Sequence, residues 1–199
     1  MNILQSTVRN PIDLNPADVQ ILFADLQKQI VGRNKTNDSK TIAKASATLA
    51  KLAGVFSLPV TISVVPQGSE KPELIPELEQ EVEGQPQFLR MSPNPFLHPE
   101  TKAALEASGR KTLVIAGCAM EVVVLHTAAA AIENGYRVLV AVDASGGFSE
   151  RTEQAAIRQI EAFGGETTCV LTIATALEPS FTSDLGQKMF GAVQPMLRD

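Results

Sequence analysis

Tryptophan is absent from the 199 residues, and there are only one tyrosine, two histidines and two cysteines. Cys118 and Cys169 cannot define a disulfide framework, and their flanks, Ile115 to Ala119 and Thr167 to Leu171, read as buried strand rather than as a metal knuckle. His98 precedes Pro99 in a loop and His126 falls in an Ala-rich helix, too little imidazole for a transition-metal site, so neither a metal nor another cofactor is expected. Also missing are a G-x-G-x-x-G after the first strand, a Walker loop, a G-x-S-x-G elbow and an H-E-x-x-H, which removes the fingerprints of the common nucleotide, esterase and zincin classes. With 17 Lys and Arg against 22 Asp and Glu the net charge is −5, and no basic stripe offers counterion release, so duplex DNA and anionic membrane surfaces are not expected partners. Residues 1–20 hold no signal-peptide core and no apolar run is long enough to span a bilayer, so a cytoplasmic location is expected.

What is present is 44% hydrophobic residue content in a chain long enough for one sizeable core, with no linker or low-complexity tract, so residues 1–199 are read as a single domain. Val19 to Ala24 is a short apolar run, and 60–65 is a second, β-branched and stopped by Pro66. Between them Ile42, Ala45, Leu49, Leu52, Ala53 and Phe56 recur at helical spacing, and Leu58-Pro59 ends the helix, giving a βαβ unit. The alternation returns with strands expected at 112–116, 137–142 and 167–173, helices at 121–134 and 150–163, a short strand at 87–90 and a last helix at about 183–197. Such nearly continuous apolar strands imply a parallel, Rossmann-like sheet covered on both faces, a three-layer α/β/α sandwich. Ligands then bind beyond the carboxyl ends of the strands, at Asp25, 66–68, Arg90, 117–123 and 143–147.

Each of these positions has a structural alternative. Asp25, directly after a buried strand, is either a functional carboxylate or the N-cap of a helical turn begun by Leu26. Arg90 either anchors a substrate oxygen or pairs internally with an acid. Ser145, in Ser-Gly-Gly, is explained by turn chemistry, and His126 by packing or a subunit contact.

Together, Phe23 to Gln27, Leu74 to Leu78, Phe88-Leu89-Arg90 before a Pro-Asn loop, Val114 to Val124 and Val142 to Gly146 resemble the isochorismatase-like hydrolases, in order and spacing, over residues 15–175. The likeness is to the bacterial branch with Arg in place of the usual Lys, whose members are ring-stacked homo-oligomers, commonly octamers, of uncertain substrate. In that family an Asp–Lys–Cys triad hydrolyses C–N bonds through an acyl-enzyme. Asp25 matches the acid and Arg90 the cation, while the signature falling on Gly117 to Val124 puts Val123 in the cysteine position. Valine has no nucleophile, so acyl-enzyme chemistry at Val123 is impossible. The resemblance also implies a cis peptide at Cys118–Ala119 and an oxyanion hole from the backbone N–H groups of Ala119 and Val123.

Three functions follow. The first is a hydrolase for a small molecule without covalent catalysis, Asp25 serving as acid or base and Arg90 as anchor, much as isochorismatases protonate a vinyl ether with their Asp. The second is an inactive homologue that binds a small ligand or serves as a scaffold, motivated by Val123 and by Met120 where the family often has Thr. The third, a nucleotide or flavin carrier, rests on architecture alone. A homo-oligomer is implied by the resemblance, with Ala128 to Ala131 either a helix contact surface or a sheet-packing face.

Overall fold

The computed structural model describes residues 12–68 and 72–198; residues 1–11 of the stretch read for a signal peptide lie outside the described residues. A six-stranded, fully parallel sheet has the order β3-β2-β1-β4-β5-β6, with β1 at Val19–Ala24, β2 at Val60–Val64, β3 at Gln87–Leu89, β4 at Thr112–Gly117, β5 at Arg137–Ala141 and β6 at Glu166–Thr168. The chain builds outward from β1 on one side and from β4 on the other. The two central strands therefore flank the point where the winding reverses, the place where open α/β sheets leave a crevice.

Every residue of β1 and β4 is buried, which is why these strands are apolar without alternation but for Gln20 and Thr112. Ile21 and Phe23 join the core under helix α2 (Ser39–Phe56), α7 (Val170–Leu177) and α8 (Asp184–Val193). Leu22 and Ala24 join the core under α4 (Pro99–Ala107), α5 (Leu125–Glu133) and α6 (Glu150–Ala162). Each such Leu, Ile or Phe contributes about 1.5–3 kcal/mol by leaving water. Ala128, Ala130 and Ala131 are buried in this second core, so the alanine run packs on the sheet. Among the described residues no helix is long and apolar enough to cross a membrane.

Two local expectations are corrected. The stretch 167–173 is not one strand: β6 stops at Thr168, Cys169 is the partly exposed N-cap, and α7 follows, with both carboxylate oxygens of Asp143 accepting from the Val170 N–H at 3.1 Å. Val170, Ile173, Ala174 and Leu177 are buried at helical spacing there, which outweighs their strand-like composition. His98 lies in the loop before α4, as expected, and caps that helix, with the Thr101 N–H donating to its ring at 3.4 Å. The helix placed at 121–134 begins as a wide π-turn, Met120–Val124, before α5 takes over.

Candidate active site

β1 ends at Ala24, and Asp25 turns the chain with φ of 56°, a left-handed conformation that Asp tolerates better than most residues. Its N–H still donates to the Ser63 carbonyl at 2.9 Å, so the backbone stays tied to β2. The carboxylate is not a helix cap: the following turn, α1 (Lys28–Val31), has Gln27 at the cap position and no side-chain capping bond. Gln27 instead holds the end of β2, donating to the Val65 carbonyl and accepting from the Val65 N–H, both at 2.9 Å.

Arg90 follows β3 directly, its N–H donating to the Val64 carbonyl at 3.0 Å. Its Nη2 donates to Asp25 Oδ2 at 2.6 Å, joining two residues that are 65 positions apart in sequence. The pair is almost fully enclosed, with side-chain exposures of 1% for Arg90 and 8% for Asp25. Burial pushes the Asp25 carboxyl up to about 7 from the usual 3.8, and Arg90 only partly offsets the rise. Burial likewise lowers Arg90, against the pull of Asp25.

The pair does not satisfy itself. Asp25 Oδ1, Arg90 Nε and Arg90 Nη1 are buried without a hydrogen-bond partner, and so is Ser63 Oγ. Ser63 is in register with Phe88, so strand alternation sends its side chain and that of Arg90 off the same face of the sheet. One acceptor and several donors at the carboxyl ends of β1, β2 and β3 can therefore bind a polar group of a ligand.

The opposite wall comes from β4. A Cβ on Gly117 would strike the Ala24 carbonyl, so only glycine allows the two central strands to end this close together. The buried Ser145 hydroxyl accepts the Gly117 N–H at 3.1 Å, a structural use of the Ser-Gly-Gly turn. The Cys118–Ala119 peptide is cis, as the resemblance implies. The Ala119 carbonyl then accepts from the N–H groups of Val122 at 3.1 Å and Val124 at 3.3 Å, which winds the π-turn. Burial pushes the Cys118 thiol up to about 12 even though the Gly146 backbone hydrogen-bonds to it.

A cavity of about 690 Å³ lies between these walls, with Asp25, Arg90, Cys118 and Ala119 on its lining. Apolar groups, among them Ile30, Val65, Pro66, Val122 and Phe148, make most of the rest. Val123 is 0% exposed, sits in the core with Leu22 and Ala24, and does not line the cavity; its neighbour Val122 does. Of the positions expected at the strand ends, 143–147 also stay off the lining: Asp143 caps α7, and Phe148, one residue further, reaches the cavity instead. His126 is exposed on α5, away from the lining. Arg33 and Phe148 belong to the site without having been expected; an aromatic after Gly-Gly in a strand-end loop was the available signal for Phe148, and Arg33 carried none. Among the described residues no group of three or more His, Cys, Asp or Glu is placed to hold a metal ion.

The chain is 27% identical to the probable hydrolase YcaC of Escherichia coli over 175 residues, 87% of this chain and 84% of that one. The crystal structure of that protein, described as an octameric hydrolase of unknown specificity, superposes with a TM-score of 0.86, covering 94% of each chain. YcaC from Pseudomonas aeruginosa, solved with hexane-2,5-diol and covalent acrylamide, gives the same TM-score at 25% identity and the same 94% coverage of both chains. A pyrazinamidase/nicotinamidase from Streptococcus mutans shares the fold alone, with 18% identity, a TM-score of 0.65 and coverage of 75% of this chain and 99% of that one. The isochorismatase domain model matches residues 19–171, from the first residue of β1 into α7, and the chain therefore belongs to the isochorismatase-like hydrolase family.

Proposed function

We propose that this protein is an isochorismatase-family hydrolase for a small molecule that works without a thiol nucleophile. The observation that carries the proposal is the enclosed Asp25–Arg90 pair, whose remaining polar atoms have no partner and which lines an apolar cavity at the sheet's switch point. Asp25 is the acid or base, since a carboxyl near neutrality can both give and take a proton at working pH. Arg90 holds the anionic or carbonyl oxygen of the substrate, and the backbone N–H groups of Ala119 and Val123 are the proposed oxyanion donors. The acrylamide and diol bound to the Pseudomonas relative support a small, partly polar molecule as the ligand of this fold. The octameric Escherichia coli relative supports a homo-oligomer here, checked by light scattering, and a cytoplasmic location goes with the same reading.

A second reading, a catalytically inactive protein that binds a small ligand or acts as a scaffold, is favoured by one observation: the lining's only thiol, Cys118, is held far above neutrality, and Val123 offers no heteroatom. The test compares wild type and Asp25→Asn on amides, ureas, esters and isochorismate-like vinyl ethers. Turnover by wild type that is lost in Asp25→Asn supports hydrolysis without a thiol. A wild type silent on every substrate class overturns it and leaves the binding protein, and turnover that Asp25→Asn keeps in full overturns the role of Asp25.

A further inference from the structure

The cavity's charged lining consists of Asp25, Arg90 and Arg33. Asp25 and Arg90 face each other at 2.6 Å and neutralise one another as far as their protonation allows. Arg33 is different. It follows α1, its backbone is fixed by donation to the Ile30 carbonyl at 3.0 Å, and its side chain is exposed. Among the described residues that side chain makes no ion pair and no hydrogen bond. In an acidic chain of net charge −5, Arg33 is thus the cation on this lining that has no counter-charge among the described residues, and it shares the lining with Ile30 and the enclosed pair. Val122 and Phe148 keep apolar surface exposed on the same lining, which suits a hydrocarbon body rather than a polar one.

We infer that the cavity selects an amphipathic monoanion: an apolar body whose carboxylate or similar anionic group is held by Arg33, while its uncharged reacting end meets Asp25 and Arg90. The inference rests on Asp25 and Arg90 being the reacting end, and it adds a specificity-determining residue and a substrate class. An anion seated on Arg90 instead would oppose the Asp25 carboxylate, whereas Arg33 has no carboxylate paired with it. Arg33 supplies a planar, permanently charged fork suited to a carboxylate, and a rim position lets it choose between ligands without entering the chemistry.

The experiment measures binding and not turnover, so it stands whether or not the protein hydrolyses anything. Calorimetry at pH 8 on the full-length protein compares benzoate with acetophenone and hexanoate with heptan-2-one, pairs of similar size that cannot be hydrolysed. Wild type is expected to bind each carboxylate about fivefold more tightly than its neutral partner, and more weakly as NaCl rises from about 0.05 to 0.5 M, the scale of a partly exposed charge contact. Arg33→Gln is expected to abolish that preference while leaving ketone affinity unchanged, and its unaltered melting temperature shows that folding is intact. Equal affinities in wild type, or no binding of any probe, overturn the inference. A preference that survives Arg33→Gln also overturns it, because the anion is then held elsewhere. A lost preference in Arg33→Gln in a protein that hydrolyses nothing supports anion selection while removing the hydrolase reading.

Discussion

Replacing Asp25 with Asn removes one titration from a site whose protonation is coupled to folding. In the native state burial holds the carboxyl at about 7, against 3.8 when exposed. Between these values the unfolded chain has already lost the proton that the native chain keeps, so unfolding releases a proton and stability falls as pH rises. Below about 3.8 the group is protonated in both states, and above about 7 it is ionised in both, so its contribution changes only inside that window. The whole gap corresponds to about 4 kcal/mol, of which about 2.5 kcal/mol falls between pH 5 and 7.5. The neutralising pull of Arg90 is already contained in the native value, because it acts against burial and does not overcome it.

The assay is denaturant unfolding of wild type and Asp25→Asn across that range. Asp143 and Glu153, which burial also raises, titrate in both proteins and cancel in the difference. Asparagine leaves Arg90 without its carboxylate partner, which lowers the variant's stability by an amount that does not depend on pH through Asp25. The difference between the two proteins should therefore drift by about 2.5 kcal/mol against wild type from pH 5 to 7.5, or about 5–10 °C in melting temperature for a chain of this size. Parallel curves would refute a raised carboxyl. A drift in favour of wild type confined to the rise from about pH 2 to 4, with parallel curves above it, would mean that Arg90 dominates burial and holds the carboxyl below its usual value.

Three further perturbations test the frame around the pair. Arg90→Met strands a buried carboxylate and should cost about 3–5 kcal/mol in chemical denaturation at pH 8, with a smaller loss at pH 5 where Asp25 can take up a proton. Gly117→Ala forces a methyl group into the Ala24 carbonyl, a backbone atom that cannot swing aside, and should cost about 1–3 kcal/mol in thermal unfolding. Glu121 accepts the Phe148 N–H at 2.9 Å and the Thr152 hydroxyl at 2.7 Å, so Glu121→Ala should destabilise by about 1–3 kcal/mol and speed amide exchange at Phe148 while exchange in β1 follows only the global loss.

The architecture was legible because its signal is local. Val19 to Ala24 is apolar at every position but Gln20, whose buried amide donates to the Leu105 and Arg110 carbonyls, and such a run is what a strand buried on both faces requires. The same local logic failed where tertiary contacts decided. Thr167 to Ile173 has strand composition, yet Asp143, 27 residues before Val170, caps a helix there. Pro99 was an unused helix signal, since proline is favoured in the first turn and His98 supplies the cap. Asp25 and Arg90 were each ambiguous for the same reason: a cap and a carboxylate in an ion pair have the same sequence, and the partner stands 65 residues away. The run Val122-Val123-Val124 carries no periodicity, so nothing in it reveals that a π-turn presents Val122 to the cavity and Val123 to the core.

That division among three valines bears on the chemistry. A thiol acts as a nucleophile only as thiolate, and at neutral pH a thiol held at about 12 supplies about one thiolate in a hundred thousand molecules. Cys169 does not line this cavity; it lines a separate hollow of about 410 Å³ beside β6. Val123 contributes hydrocarbon to the core. Within the proposed function, therefore, the attacking group must be water or the step must be protonation of the substrate, and both depend on a single proton at Asp25. The two cases differ in pH dependence: general base catalysis by the carboxylate rises as pH passes upward through about 7, and general acid catalysis by the carboxyl falls over the same interval. The sign of that slope, measured as kcat/KM against pH with Asp25→Asn as background, separates hydrolysis by activated water from protonation of the substrate.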